Sequence, residues 1–371
     1  MRLLDRYLLR ELLVPLGYCL CGFLIFYVAF DLVFQLNRFL DNRMLFLDIV
    51  EYYVVTLPEL LVEQVLPVSL LLALLYTLTN LSRYNELTAM RAAGVSLWRL
   101  SMPYVGVGAV FGLVVLAIGE FWLPSASERA KFILERRQTG ITQRDWVSNL
   151  EFYNETALRD WNISGFNKKT SEMRHAKIQW FLGNGSNEII VARSGAYGGG
   201  QWIFYNAEVW LRRGNDPPAY AGSNASLRQS FPETPAWIKS EIKVNALNPS
   251  DAAKGQGTQL SIREILEFIR LHSRISQEKR AMLLTQLNGR LAAPFTCLAV
   301  VLIALPFGAR AGRHNVFVGV ASSIFICFGY FILQRLSFGL GVGGYLPPVL
   351  AAWLPNLVCG AIGLVLLAQM R

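Results

Sequence analysis

Six long apolar segments are separated by polar stretches along this chain. They cover about 12–36, 57–81, 100–123, 291–309, 316–334 and 347–369. A bilayer core of roughly 30 Å requires about 20 apolar residues in a helix, so each segment is predicted to cross a membrane. The first segment is longer than the core of a signal peptide and has no small-residue cleavage site after it. It is therefore predicted to be retained.

The polar stretch between the third and fourth apolar segments has the pattern of β-structure. Glu188–Ala192 and Trp202–Tyr205 are rich in β-branched and aromatic residues, and Gly183–Gly185 and Gly198–Gly200 are predicted turns. No long helical period interrupts the chain between about 145 and 245. The sequence therefore predicts an inserted all-β domain, either a sandwich or an open jelly-roll-like sheet.

An amphipathic helix is predicted where the chain returns from this domain to the fourth span. Ser261 and Glu264 have the spacing of a capping box. Apolar residues then recur on one helical face, at Ile262, Ile265, Leu266 and Ile269.

Composition supports a membrane bundle that carries a polar insert. Only 16% of the residues are charged, whereas about 25% is usual in soluble domains. All eight lysines lie between residues 125 and 280. The predicted division is spans one to three over 1–124, the β domain over 125–260, a connecting helix within 261–280, and spans four to six over 281–371.

Arginine positions predict the orientation of the spans. With a cytosolic N-terminus, the short loops on the outer side contain only Arg38, Arg43 and Arg335. The inner segments then contain nine arginines, namely Arg2, Arg6, Arg10, Arg83, Arg91, Arg99, Arg310, Arg313 and Arg371. This excess on the inner side satisfies the positive-inside rule. Both termini are therefore predicted to be cytosolic, with the β domain on the opposite side of the membrane.

The sequence contains no recognisable catalytic, cofactor or metal motif. A GxxxxGK[ST] phosphate loop is absent, as are HExxH and GxSxG, and the three histidines are scattered. The glycine-rich run Gly339–Gly344 falls in a predicted outer loop rather than between a strand and a helix, which argues against dinucleotide binding. All five cysteines lie in apolar stretches, as expected for small residues packed within spans.

Three polar residues share one helical face near the outer end of the first span. Asp31, Gln35 and Arg38 stand at i, i+4 and i+7. Ionisable residues within spans are functional candidates by default. Two interpretations remain open: ordinary interfacial residues at a helix end, or a polar patch lining a cavity at the outer leaflet.

A short cytosolic helix is predicted over about 83–94, between the second and third spans. Ser82 or Asn85 is a candidate N-cap, and Gly94 suits the left-handed position that ends a helix. An apolar edge with adjacent charges is formed by Leu87, Met90, Glu86 and Arg91. From periodicity alone, the segment is either a docking element or a solvated connector.

Several segments resemble the LptF/LptG permeases of the lipopolysaccharide exporter, in the same order along the chain. They are Leu4-Asp-Arg-Tyr7, Gln64-x-x-Pro67, Glu86-Leu-x-x-Met-Arg-Ala-Ala-Gly94, Gly119-Glu-x-x-x-Pro124, Arg290-x-x-x-Pro294, Ala304-Leu-Pro306 and Leu346-Pro-Pro-x-Leu-Ala-Ala-Trp-Leu-Pro-Asn356. The arrangement of three spans, an insert and three spans matches as well.

The resemblance implies a transport subunit of the bacterial inner membrane rather than an enzyme. Its implied partners are a second homologous six-span permease, a cytosolic ABC ATPase dimer that binds ATP and Mg, and a periplasmic bridge protein. Nucleic acid is not expected as a partner. Lipopolysaccharide would enter from the outer leaflet between the first span of one permease and the fifth of the other, and the β domain would pass it on.

The resemblance also suggests roles for particular residues. The segment with Glu86, Leu87, Met90, Arg91 and Gly94 resembles the coupling helix that docks on the ATPase, with Glu86 as the polar contact. Candidate substrate-cavity residues are Asp31, Gln35, Arg38, Arg43 and Arg335, of which the three arginines are either phosphate ligands or interfacial anchors.

One departure from the family concerns the first span. Some members have a basic residue near its outer end, where this sequence has Asp31. Three explanations are open: the partner permease supplies the basic residue, the lipid head group differs, or Asp31 pairs with an arginine. Two further hypotheses remain: a permease for another lipid or lipoprotein, and a membrane-anchored envelope enzyme with its site in the β domain.

Overall fold

The computed structural model describes residues 3–139, 145–182, 185–214, 216–247, 260–272, 274–310 and 316–369. The chain forms two compact units. The membrane unit comprises Met1–Leu134, Asn248–Ile262 and Gln277–Arg371, and the inserted unit comprises Glu135–Leu247 and Arg263–Ser276.

Eleven α-helices are described. They are α1 (Leu3–Asp41), α2 (Phe46–Leu60), α3 (Leu66–Arg83), α4 (Glu86–Ala92), α5 (Leu97–Phe121), α6 (Leu123–Thr139), α7 (Pro235–Asn245), α8 (Ile262–Leu271), α9 (Gln277–Arg310), α10 (Val316–Val342) and α11 (Pro348–Ala368). Six of the described helices are long and apolar enough to cross a membrane: α1, α3, α5, α9, α10 and α11. The six predicted spans are therefore confirmed, although α1 and α9 extend well beyond the predicted segments.

The second span is not the continuous helix that the apolar run over 57–81 predicted. Helix α2 ends at Leu60, a single π-turn follows over Leu61–Val65, and α3 begins at Leu66. Pro67 lies in the first turn of α3, directly after the π-turn. The wider π-turn joins the two helices without breaking the chain's helical path.

The glycine run at 339–344 is also different from its prediction as a loop, because α10 continues to Val342. A Cβ atom at Gly341 would lie only 2.4 Å from the Cβ of Ala351 in α11. Glycine here allows two helices to pack closely, so Arg335 belongs to a helix and not to an outer loop.

Gly108 and Gly112 have GxxxG spacing, which allows two helices to approach closely. A Cβ atom at Gly112 would lie 2.5 Å from the carbonyl oxygen of Pro294, and one at Gly108 would lie 3.0 Å from Cγ2 of Val301. These two glycines bring α5 against α9.

The inserted unit contains one open antiparallel sheet. Its strands are β1 (Trp146–Asn154), β2 (Arg159–Asn167), β3 (Met173–Phe181), β4 (Ser186–Gly198), β5 (Gln201–Arg213) and β6 (Ala219–Gln229). They pair in sequence order, as a meander. The inserted β domain is therefore confirmed, as an open sheet rather than a sandwich, and without the Greek-key crossing of a true jelly roll.

The predicted turn at Gly198–Gly200 closes the hairpin between β4 and β5. Gly198 pairs with Gln201, and Gly199 and Gly200 have φ angles of 61° and 81°. Such a two-residue connection needs positive φ at both positions, which glycine adopts without strain. The other predicted turn, Gly183–Gly185, lies partly outside the described residues.

One face of the sheet is covered by a helix that the sequence pattern did not predict. Trp161, Ile163, Trp202 and Phe204 project from this face and are fully buried. They pack with a cover of four further residues, Phe231, Trp237, Ile238 and Ile242, the last three from α7. The apolar face of the inserted unit is thus a filled core and not an open groove.

A buried ion pair fixes the chain that leads into α7. Glu233 is fully buried and accepts hydrogen bonds from Nη1 of Arg159 at 2.7 Å and Nδ2 of Asn154 at 2.6 Å. Burial lowers the pKa of the Arg159 guanidinium, and the neighbouring Glu233 carboxylate acts in the opposite direction. The guanidinium also stacks on Trp180 and Phe231, which ties β2 to the cover.

The predicted amphipathic helix is present as α8. Ile265 and Phe268 are buried, and Glu264 pairs with Lys243 of α7.

Candidate functional site

A cavity of about 550 Å³ lies inside the membrane unit, and all six membrane-spanning helices line it. Its walls are mainly apolar and aromatic, including Phe23, Phe26, Tyr27, Val65, Leu116, Phe331 and Phe338. A volume of this size with few polar groups is typical of sites that bind small molecules or apolar chains.

The polar residues of the lining are distributed unevenly along the cavity. Glu120 lies at the end of α5, and Arg290 lies in the first half of α9, where its side chain contacts Gly119 of α5. Further polar residues of the lining include Gln64, Gln286, Gln334 and Arg335. One end of the cavity is therefore polar and charged. Within the described ranges, no group of three His, Cys, Asp or Glu residues has the arrangement of a metal site.

The π-turn of the second span contributes several side chains to the lining of this cavity. Val62, Gln64 and Val65 of the turn all line it, together with Pro67. Single π-turns inside helices often occur at functional sites, because the extra residue re-aims neighbouring side chains.

Two main-chain contacts hold the charged end in place. The Glu120 carboxylate accepts a hydrogen bond from the backbone N–H of Ile262 at 2.9 Å, and Nη1 of Arg290 donates to the carbonyl oxygen of Gly119 at 3.3 Å. A Cβ atom at position 119 would lie 3.4 Å from that Nη1. Glycine therefore leaves room for the arginine against α5.

A hydrogen-bonded network forms the other end of the cavity. The Tyr330 hydroxyl donates to Oδ1 of Asn356 at 2.8 Å and lies 2.9 Å from Oγ1 of Thr296. Nδ2 of Asn356 donates in turn to the carbonyl oxygen of Ala292 at 2.8 Å. The network joins α9, α10 and α11, and leaving any one of these buried groups unsatisfied costs about 1–3 kcal/mol.

The predicted short helix is present as α4, and its apolar edge faces inward. Leu87 is buried among core residues of the bundle, and Met90 packs against the same core. Arg91 is exposed, and Gly94 has the predicted left-handed φ, 84°. Asn85 precedes the helix with a φ of 60° and makes no side-chain cap, so its predicted capping role is wrong.

The N-terminal end of α1 is tied to the segment around α4. The Tyr7 hydroxyl donates to Oε2 of Glu86 at 2.8 Å, and Arg99 forms an ion pair with Asp5 at 2.9 Å. Tyr7 thus holds the connecting helix α4, and Asp5 holds the start of α5.

A sequence model of one family, described as "Lipopolysaccharide export system permease LptF/LptG", matches residues 6–369. The chain belongs to the LptF/LptG family. No curated protein matches it. Members of this family are permease subunits for lipopolysaccharide export and not enzymes, which removes the hypothesis of an envelope enzyme. With six apolar helices, this LptF/LptG protein is a multi-pass membrane protein.

Several of the segments that resemble LptF/LptG permeases line the cavity, and one forms α4. Gln64, Glu120, Arg290 and Asn356 all line the cavity. Their spacing in the sequence does not by itself mark these four residues as site residues. The available signal was a polar side chain near a proline within or at the end of an apolar run.

The predicted cavity residues Asp31 and Gln35 do not line this cavity. Asp31 accepts hydrogen bonds from Nε2 of Gln35 at 2.7 Å and from the Tyr53 hydroxyl at 3.0 Å. Gln35 also contacts the Tyr52 hydroxyl at 3.2 Å. This face of α1 therefore packs on the aromatic side of α2, which explains why the first span carries an acid there.

The three predicted arginines separate in the structure. Arg335 lines the cavity. Arg38 is exposed in the last turn of α1, and Arg43 is exposed in the following turn with a φ of 49°. Neither contributes to the lining of this cavity.

Proposed function

We propose that this chain is one permease half of an ATP-driven exporter that extracts lipopolysaccharide from the outer leaflet of the bacterial inner membrane. The observation that carries the proposal is the cavity in the membrane unit, which is apolar along its walls and charged at one end. Such a shape suits a lipid with acyl chains and an anionic head group. Arg290 and Arg335 are the proposed phosphate contacts.

The depth of the cavity supports a substrate from one leaflet. Its lining on α9 runs from Gln286 to Cys297. At 1.5 Å per residue, this corresponds to about 16 Å along the helix axis. The predicted fourth span begins near Leu291, so only the stretch to Cys297, about 9 Å, lies within a hydrocarbon core roughly 30 Å thick, and the cavity stays within one leaflet.

Membrane retention of the substrate explains why ATP is needed. Each buried CH₂ group contributes roughly 0.8 kcal/mol, so one 14-carbon acyl chain resists extraction by about 11 kcal/mol. A cavity that accepts the chains offsets this cost, and its collapse then requires energy. In the proposal, a separate cytosolic ATPase dimer binds ATP and Mg and supplies that energy through α4.

The uneven burial of the spans supports a second permease as partner. Within the most apolar stretch of each span, 67% of the residues are buried in α3 and 61% in α9. Only 11% are buried in α1 and 17% in α10. Phe26, Phe30 and Phe34 form an exposed ridge along α1. We place the partner permease against these two helices, with lipid entering between the first span of one and the fifth of the other.

The geometry around α4 supports ATPase docking on the cytosolic side, with both termini in the cytosol. Leu87 and Met90 anchor the helix to the bundle, and the exposed side next to Arg91 remains for a partner. Glu86 is held by Tyr7, so movement of α4 is transmitted to α1.

Transfer through the inserted unit requires a conformational change in the proposal, because α7 fills the apolar face of the sheet. We place α7 as a cover that leaves this face when acyl chains pass toward a periplasmic bridge protein.

A reconstituted extraction assay tests the proposal. The complete complex, with its partner permease and ATPase, is placed in proteoliposomes that contain lipopolysaccharide, and release to a soluble acceptor protein is measured. The expected result is release that requires ATP and exceeds that of phospholipid. Equal release of both lipids would favour the alternative, a permease for another lipid or a lipoprotein, and no ATP dependence would contradict the export mechanism.

A further inference from the structure

A second, much smaller cavity lies directly beyond the hydrogen-bonded network. It measures about 10 Å³ and is lined mainly by apolar residues and cysteines: Leu71, Val300, Ile303, Ile326, Cys327 and Cys359. Three residues line both cavities: Pro67, Tyr330 and Phe331. These three residues therefore form the wall between the large cavity and the small one.

The small cavity lies farther from the charged end of the large one. On α9, the lining moves from Arg290 through Thr296 to Ile303 as the chain advances. On α10, which runs in the opposite direction, it moves from Arg335 through Tyr330 to Ile326. A chain that entered with its head group at the arginines would thus meet Tyr330 before it reached the small cavity.

Tyr330 is the member of this wall whose side chain is fixed by hydrogen bonds. Its hydroxyl is bound by Thr296 and Asn356, and Asn356 is itself anchored to the main chain at Ala292. Turning the ring aside would leave several buried polar atoms without partners, a change that the packed interior resists. The ring is therefore a rigid stop and not an adaptable apolar side chain.

We propose that Tyr330 sets the depth of the cavity and thereby selects the length of the acyl chain that the permease accepts. This inference rests on the proposed function, since it requires a lipid chain in the large cavity. It adds a specificity-determining residue near the middle of the fifth span, where composition gave no reason to look for one.

The first test compares acyl-chain selection by the wild-type complex and by Tyr330→Ala. Complexes in nanodiscs are offered pairs of glycolipids that differ by two or four methylene groups, and the bound ratio is measured by mass spectrometry. The wild type is expected to prefer the shorter chain by about tenfold, as one misfitting methylene typically costs this much. Tyr330→Ala should lose the preference by the same factor, and Tyr330→Phe, which keeps the ring but loses the hydrogen bonds that fix it, should lose only part of it.

The second test detects the joining of the two cavities without relying on transport. Variants retain one cysteine each, Cys297 in the large cavity or Cys359 in the small one, with the other four replaced by alanine. Each is treated with a long-chain alkyl maleimide. Both thiols are buried, so rates are compared between the two backgrounds: Tyr330→Ala should raise the reaction rate of Cys359 and leave that of Cys297 little changed.

The outcomes separate the two proposals. If the wild type binds no acylated glycolipid, the proposed function fails. If glycolipid binds but Tyr330→Ala shows the wild-type chain preference, the selection by Tyr330 is wrong even though the cavity carries lipid. Tyr330→Leu, with an intermediate side chain, replaces Tyr330→Ala should that variant not fold, and a partial shift toward longer chains is expected.

Discussion

Acidic residues near the ends of the spans have different roles that their spacing alone does not distinguish. Asp31 binds Gln35 and Tyr53 between two helices, while Glu120 lines the cavity and holds the backbone of Ile262. The helical face of Asp31 follows from the sequence, but the element that packs on that face does not. Asp31 was therefore a reasonable candidate, and the structure assigns it to the contact between α1 and α2.

Replacement of Glu86 by alanine is expected to uncouple ATP hydrolysis from lipid transport. The change removes the acceptor for Tyr7 and the proposed polar contact with the ATPase. A hydrogen bond to a charged group contributes about 1.5–3 kcal/mol, so a loss of tenfold or more in lipid-stimulated ATPase activity is expected. ATP hydrolysis by the reconstituted complex provides the measurement.

Tyr7→Phe and Glu267→Ala are the matched controls. Tyr7→Phe keeps the Glu86 carboxylate and should have a smaller effect, and Glu267→Ala removes an exposed acid of the inserted unit and should have none. Wild-type coupling in Glu86→Ala would exclude the proposed role of this residue.

Close helix packing around glycine explains why several elements differ from their predicted form. The spacing of Gly108 and Gly112 predicts a contact face, but not that this face meets Pro294 and Val301 of α9. Gly341 was assigned to a loop because glycine-rich runs usually are loops, whereas its lack of a side chain serves contact with Ala351. Glycine alone does not tell these two uses apart.

Gly112→Ala is expected to destabilise the membrane unit. The new Cβ would lie 2.5 Å from a backbone oxygen, so α5 and α9 must separate. Such overpacking typically costs about 1–3 kcal/mol. Gly106→Ala in the same helix is the control, since its Cβ would meet no atom within 4 Å. Thermal unfolding in detergent should show a lower midpoint for Gly112→Ala alone, and equal midpoints would refute the close contact.

Locking α7 onto the sheet is expected to block lipid transfer. Nδ2 of Asn245 in α7 donates to the carbonyl oxygen of Glu151 in β1 at 3.2 Å, and both residues are exposed. The insert has no native cysteine, so Glu151→Cys with Asn245→Cys provides a specific pair for a short thiol cross-linker. Release of lipopolysaccharide should fall on cross-linking by a reducible reagent and recover after reduction.

The two single-cysteine variants control for modification without a link. Undiminished release from the cross-linked pair would show that lipid does not use the covered face of the sheet.

At the scale of the whole molecule, the sequence predicts the topology better than the site. Hydropathy is a sum over neighbouring residues, so the six spans and the polar insert can be read directly from the chain. The cavity depends on side chains from six helices, and the second span contributes through a π-turn that no local pattern announced. Of the five predicted cavity residues, Arg335 alone lines it, whereas Glu120 and Arg290 became site residues only through helix packing.

Helix α7 shows the same limit in the inserted unit. Its sequence, Pro235–Asn245, follows an alternating β pattern after a short connection, and Thr234 caps it by accepting the backbone N–H of Trp237. Its apolar residues are fixed by the sheet that it covers. The pattern of residues 235–245 alone does not show that this helix packs on the sheet.

Affinity purification of the tagged chain from its native membranes tests the central claim most directly, with mass spectrometry of the accompanying proteins and lipids. The account predicts a P-loop ATPase, a second six-span permease and a bound acylated glycolipid. Recovery of the chain alone, or with envelope enzymes and without an ATPase, would contradict it.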